Sequence, residues 1–313
     1  MVDLQTPAAD RAGAAAGFAD SEARAQWRTV ARRFVRHKAA VAGMALFAVL
    51  LLFAFAGPLL WRVGLDPGGD AKVAPDITHP FGTDRIGRDM LAQVISGTRF
   101  SLQIALVVAV VATVAGVVLG ALAGYLRGLV DTAISRLIDL LLCVPNLVIT
   151  AVLARSTFTL APSVQNQSNW LTVALIIALF TSWFPIARTI RGLTLSLREK
   201  EFVEAAKALG ASTSRIVFRH ILPNTVDVII VNATVTVAQA VLLESALSFV
   251  NLGVHRPEAS LGLLINENKN ELATLPWLFW FPFVFIVLIS LSVNFMGDGL
   301  RDAFDPRQRK VRA

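Results

Sequence analysis

Charge is scarce in this sequence. Only 16% of its 313 residues are Asp, Glu, Lys or Arg, whereas soluble domains carry about a quarter. Cysteine is scarcer still: Cys143 stands alone, which excludes an intrachain disulfide and a cysteine-based metal cluster. Inside an apolar run, that cysteine reads as a small hydrophobe. The four histidines, His37, His79, His220 and His255, are scattered. There is no His-Glu-x-x-His, and no carboxylates are paired at a shared helical spacing, so neither a metal site nor a hydrolytic centre is legible. No Gly-Lys-Ser/Thr string occurs either, which removes the P-loop reading. The chain is not expected to be an enzyme, or to hold a cofactor or metal of its own.

What is present is apolar length. Hydrophobic residues make up 55% of the chain and gather into six runs: Ala39–Trp61, Leu102–Gly124, Thr132–Ala154, Trp170–Ala187, Val226–Phe249 and Pro276–Met296. Each is long enough to cross a hydrocarbon core of about 30 Å, although the fourth is short and contains Pro185. The first run begins near Ala39 and is longer than a signal-peptide core, so it reads as an uncleaved span. Before it, Met1 to Arg24 is rich in Ala, Gly and Asp and reads as a disordered tail. From Gln26 to Lys38, Trp27, Val30 and Phe34 lie among Arg28, Arg32, Arg33, Arg36 and Lys38. That spacing suits an amphipathic helix on an anionic membrane surface.

Lys and Arg set the orientation. One side holds 20 of them, in the N-terminal tail, the Gly124–Thr132 connection, the Arg188–Thr225 loop and the C-terminal tail; the other holds eight, balanced by eight acidic residues. The basic side is therefore expected to be cytoplasmic, with both termini inside a multi-pass cell-membrane protein. The net charge of +7 follows from this asymmetry rather than from nucleic-acid binding.

The chain is organised around a polar interruption, Arg198 to Asn224, REKEFVEAAKALGASTSRIVFRHILPN. Phe202, Ala205, Ala206 and Leu209 fall at i, i+3, i+4 and i+7, predicting a short amphipathic helix. Gly210 stands where that helix would stop, and Ser212 and Thr213 can cap a second one. Ser214, Val217, Phe218 and Ile221 predict its face, and Pro223 its end. A helix–Gly–helix elbow on the cytoplasmic side suits docking of another protein, although spacing alone equally fits any cytosolic amphipathic hairpin.

Glu204-Ala205-Ala206, three residues, Gly210, and Leu222-Pro223 twelve residues on resemble the EAA motif of ABC-importer permeases. His220 takes the place where the common pattern has Ile, and His-Ile-Leu-Pro-Asn is the form usual in the peptide-importer branch. Four further strings resemble the same family in order. His79 to Asp89, HPFGTDRIGRD, is similar to its HPxGTDxxGRD box. GYLRGLVDTAISRLIDLLLCVPNLVI, Gly124 to Ile149, is similar to its third-span segment. Glu244 to Gly253 is similar to ESxLSFLGLG, with Asn251 where the family usually has Gly. Asn294 to Arg307 is similar to NxxGDGLRDxxDPR.

The resemblance covers about Val35 to Arg307 and implies an all-α membrane fold of six helices, similar to type I ABC importer permeases. It implies the second-type (C) permease subunit of a dipeptide or oligopeptide importer. Its expected partners are a homologous permease, cytoplasmic ATPase subunits that bind the ATP and Mg, an external substrate-binding protein and membrane lipids. The organisation so read is a cytoplasmic tail 1–38, a first span 39–61, an external segment 62–101, a five-helix core 102–296 with the elbow 198–224, and a tail 297–313.

Glu204, Ala205, Ala206 and Gly210 are the candidate ATPase-coupling residues. Glu244, Asp139 and Pro145 are candidates for a path or gate. Glu244, deep in the fifth span with Asn232 and Gln239 below it, needs a pathway, a partner subunit or an internal hydrogen-bond network to offset its burial. Arg136 and Asp139 are spaced to pair on one helix, and Pro145 predicts a kink. The HPFGTDRIGRD loop reads either as stabilisation of the external surface, with local salt bridges, or as a contact for the binding protein or gate. Gly297 and Gly299 predict a bend where the last helix leaves the bilayer. Importers of nickel or other small solutes share these strings. A secondary transporter would show two related halves, which are absent. A non-transporting membrane scaffold stays open.

Overall fold

The computed structural model describes residues 28–61, 69–160 and 169–304. The tail reading for Met1 to Arg24, Trp27 and the final Asp305-Pro306-Arg307 lie outside them. Among the described residues the fold is helical, with one isolated antiparallel bridge, Thr83 to Asp89. A short helix α1 over residues 28–36 buries Val30 and leaves Arg28, Arg32 and Arg36 exposed. It is followed by α2, Lys38–Leu60, capped by His37, whose ring nitrogen accepts from the Ala40 amide at 3.1 Å.

Helix α3, Met90–Leu126, is 37 residues long, or about 55 Å at the α-helical rise. It starts twelve residues before the expected second span, because Asp89 caps it there. Helix thus replaces irregular chain from Met90 onward within the segment 62–101. Its C-terminal half carries Gly116, Gly120 and Gly124, one every fourth residue. A side chain at Gly116 would meet the Trp183 carbonyl at 2.6 Å, one at Gly124 the Arg191 carbonyl at 2.8 Å, and one at Gly120 would strike the Ala187 carbonyl. These glycines let α3 approach its most extensive partner, α6, Trp170–Leu197, backbone to backbone. Sequence reading missed this stripe.

The expected third span is two helices, α4 Gly128–Leu142 and α5 Asn146–Leu160, meeting at 92°. Pro145 thus breaks the span rather than kinking it: it lacks an N–H, and its ring drives Val144 out of helical geometry. Cys143 lies exposed at the break, not packed as a small hydrophobe. Pro185 does not end the fourth span. It cannot donate to Thr181 four residues back, a wide π-turn covers Ala178–Ser182, and α6 continues to Leu197.

Pro223 does not end its segment either. After the elbow helix α7, Glu201–Ala208, a continuous helix α8 spans Thr213–Phe249. Around the proline α8 rewinds as π over Ile216–Ile221 and 3₁₀ over Leu222–Thr225. The Asn224 amide donates to the His220 carbonyl at 2.7 Å, satisfying backbone freed by the rewinding.

The short α9, Leu261–Asn268, precedes α10, Trp277–Phe304. The expected bend at Gly297 and Gly299 is absent. The helix continues to Phe304, past the tail boundary at 297, and Gly299 instead admits Ala40 of α2 against the α10 backbone. Among the described residues five helices, α2, α3, α6, α8 and α10, are long and apolar enough to cross a membrane, and the bent α4–α5 pair makes six if it is counted as one span.

Candidate functional site

The elbow begins where α6 ends. In α7, Val203 and Ala206 face inward, packing with Ile216 and Ile221 of α8 and with Tyr125, Leu197 and Ala211. The predicted apolar face therefore divides. Ala206 goes inside, while Phe202, at 40% exposure, and Leu209, at 88%, point away from the chain together with Glu204 and Ala205. Gly210 takes φ +77 with open space beyond its Cα. The Ala211 amide donates to the Ala206 carbonyl at 3.0 Å and that of Gly210 to Lys207 at 2.9 Å, closing α7 in a Schellman turn. Ser212 caps the second limb by accepting from Arg215 N. There Ile216, Val217 and Ile221 are buried, whereas Phe218, expected on the packed face, is 54% exposed. Large apolar side chains on this polar turn are thus left partly or largely uncovered by the described residues.

At the other end of α3 the HPFGTDRIGRD loop is a knot. Asp89 accepts from Ala92 N at 2.8 Å and from the Trp61 indole at 3.0 Å, and pairs with the His79 ring at 2.7 Å. Asp84 accepts from the amides of Ile86 at 3.0 Å and Arg88 at 2.9 Å. Gly82, at φ +72, lies where a side chain would strike the Val73 carbonyl and the Trp277 indole. Phe81 stacks on Phe281 of α10 with centroids 3.9 Å apart. Arg85 pairs not locally but with Glu271 at 3.4 Å. Gln93 donates to Asp84 at 3.3 Å and accepts from Arg256, which also holds Glu267 at 2.6 Å. The loop ties α2, α3 and α10 to the α8–α9 connection, which favours the stabilising reading. Nearby, the His79 amide and the Thr78 hydroxyl hold the Asp76 carboxyl below its usual range, and burial pulls the His255 imidazole below the histidine range.

Glu244 is fully buried, its carboxylate accepting from Ser248 at 2.7 Å and Ser101 at 3.1 Å. Ser260 extends the network to Ser248 at 3.1 Å, and the Leu261 amide donates to Ser101 at 3.2 Å. Of the surroundings expected for it, the internal network is what the fold provides. The carboxylate is closed off by serines rather than lining an open path. Gln239 is exposed and not part of it. Asn251, at φ +64, takes the left-handed conformation, which Asn tolerates better than most residues.

Asp139 pairs with Arg188 of α6 at 2.8 Å and Asp131 with Arg191. The expected Arg136–Asp139 pair does not form, because α4 turns Asp139 towards α6. A cavity of about 480 Å³ between the middle of α8 and the C-terminal end of α10, missed from the sequence, is lined by Asp227, Val228, Val231, Asn232, Val235, Arg301 and Phe304. Asp227 and Arg301 do not pair with each other, so it offers both charge signs to a ligand. The structure does not bring Glu244, Asp139 and Pro145 together with the elbow residues into one pocket.

Comparison with known proteins adds relatives along nearly the whole chain. Residues 116–310 match the family described as binding-protein-dependent transport system inner membrane component, and residues 25–76 match the N-terminal TM domain of oligopeptide transport permease C. The oligopeptide transport system permease protein OppC of Escherichia coli K12 is 42% identical over 292 residues, covering 92% of this chain and 93% of the relative. OppC of Mycobacterium tuberculosis H37Rv is 39% identical over 285 residues, covering 90% and 95%.

Proposed function

We propose, from the premise that this chain belongs to the family of binding-protein-dependent transport system inner membrane components, that it couples ATP hydrolysis on other subunits to peptide import. It is a multi-pass membrane protein and a permease subunit of a peptide ABC importer, not itself an enzyme. With a homologous permease it forms the membrane path for di- or oligopeptides handed over by an external binding protein. ATP and Mg sit on cytoplasmic ATPase subunits, and the excess of Lys and Arg around the elbow and both termini supports an orientation with those parts inside.

The observation that carries the coupling is the exposure of Phe202 and Leu209 on α7, beside Glu204, Ala205 and the Gly210 turn. Exposed aromatic and aliphatic side chains on a compact cytoplasmic knob suit a groove in an ATPase subunit. Ala205 permits close approach, Ala206 seats α7 on α8, and Gly210 sets the angle between the limbs. Nucleotide-driven closure of the ATPases would move the elbow and rock the spans as bodies. The α4–α5 break at Pro145, with Asp139 tied to α6, is the proposed flexing point, and the cavity holding Asp227 and Arg301 is the proposed inner part of the path.

The test is the purified complex in proteoliposomes with its binding protein. Gly210→Val should assemble but hydrolyse ATP with little uptake; normal stimulated hydrolysis together with normal uptake would refute the coupling role. In a Cys143→Ser background, Leu209→Cys should react with an impermeant maleimide from the cytoplasmic face only. Labelling from outside would overturn the orientation.

A further inference from the structure

The chain has a single tyrosine, Tyr125, in the last turn of α3. It packs against two separate apolar clusters. One is Val117, Ala121, Ile186, Ile190 and Val217, where α3, α6 and α8 meet; the other is Val203, Ala206, Ile216 and Ile221 of the elbow. Two cations from the elbow approach its ring, Arg198 and Lys207, each 5.7 Å from the centroid. Arg198 also donates to the Tyr125 carbonyl at 2.5 Å. Two residues on, Arg127 pairs with Glu199, again from α3 to the start of the elbow. The Tyr125 hydroxyl has no hydrogen-bond partner among the described residues.

We infer that Tyr125 is a positioning residue for coupled transport: its ring fastens the elbow to α3, so that a push on α7 moves α3 and α6 as one body. The inference rests on the reading of the elbow as the ATPase-coupling element. Covalently, α7 is held by two short links, residues 198–200 from α6 and residues 209–212 to α8, and only Val203 and Ala206 of α7 are buried. A lever held by two non-helical links can swivel between them without moving the spans. The ring removes that freedom. Lys207 grips it from the last turn of α7 and Arg198 from the link to α6, both towards a helix already locked to α6 through Gly116, Gly120 and Gly124. Because α3 runs unbroken to Asp89, a displacement taken up at Tyr125 arrives at the loop that ties together α2, α10 and the α8–α9 connection.

The experiment measures ATP hydrolysed per peptide imported by the whole reconstituted complex, with Glu204→Ala run beside the Tyr125 variants. Tyr125→Ala should raise the ratio about tenfold, as loss of both cation–ring contacts and the joint packing predicts. Tyr125→Phe should stay within about twofold of the parent, because the ring face and not the hydroxyl does the gripping. Lys207→Met, which keeps the chain length without the charge, should raise the ratio about threefold. A parental ratio in Tyr125→Ala overturns the inference, and so does a Tyr125→Phe variant as impaired as Tyr125→Ala. If Tyr125→Ala does not assemble, Lys207→Met decides: a raised ratio supports the joint and a parental ratio overturns it. If Glu204→Ala uncouples while Tyr125→Ala does not, only the joint fails. If neither does, the coupling role of the elbow fails with it.

Discussion

Ser101 of α3 donates to the Glu244 carboxylate of α8 at 3.1 Å, joining two helices 143 residues apart in sequence. The same hydroxyl accepts from the Leu261 amide at 3.2 Å, so the start of α9 is drawn into the cluster. Glu244→Ala removes the acceptor and leaves buried serine hydroxyls stranded, with a cavity beside them. A loss of about 3 kcal/mol is expected from that combination. Glu244→Gln keeps the shape and one acceptor and should lose about 1 kcal/mol. Unfolding in mild detergent followed by circular dichroism measures both, and equal losses would mean that the hydrogen bonds contribute little.

Asp89 serves three elements at once: it caps α3, receives the Trp61 indole at the end of α2 and pairs with His79. Asp89→Ala should cost about 2 kcal/mol, a helix cap at about 1 kcal/mol together with the stranded indole N–H. Amide exchange in the first turns of α3 should speed up while the Tyr125 end stays protected. Uniform exchange along α3 would contradict a local capping role.

Gly120 has no room for a side chain, since an added Cβ would strike the Ala187 carbonyl. Gly120→Val should force α3 and α6 apart, at about 3 kcal/mol or more for a rigid backbone contact. Gly192, with open space around it, is the control: Gly192→Ala should be stable to within about 1 kcal/mol. Thermal unfolding of the two variants, and recovery of assembled complex, separates close packing from a general intolerance of larger residues.

His255 carries a pH dependence. Burial disfavours its charged form and lowers its pKa from 6.5. The unfolded chain therefore takes up the proton first as pH falls. The contribution of His255 to stability is complete above 6.5 and is lost as pH drops below it through the lower folded value. Between pH 7.5 and 5 the unfolding temperature should decline, and less so in His255→Gln. An identical decline in both proteins would assign the effect to other groups.

Much of this molecule can be read along the chain. The crossings follow from apolar runs, and the elbow from Gly210 and the cap at Ser212, because hydropathy and turn chemistry act over a few residues. Local reading failed where two rules compete. At Pro223 the helix continues, since wide and tight turns absorb the missing donor and neighbouring helices hold both sides. At Gly297 and Gly299 the glycines serve a neighbour's approach rather than a bend. On α7 the periodic face proved to be shared between inside and outside, because Val203, off the predicted stripe, seats the helix together with Ala206.

Composition, charge asymmetry and the ordered strings were thus enough to establish a helical, membrane-crossing chain with an exposed turn, and its membership of a family. Which carboxylate is sealed by serines, which arginine meets Asp139, and how Tyr125 comes to receive two cations from the elbow were decided by packing alone. Those pairings join residues tens to more than a hundred positions apart, and a side chain's spacing from its sequence neighbours carries no record of which distant helix will be set against it.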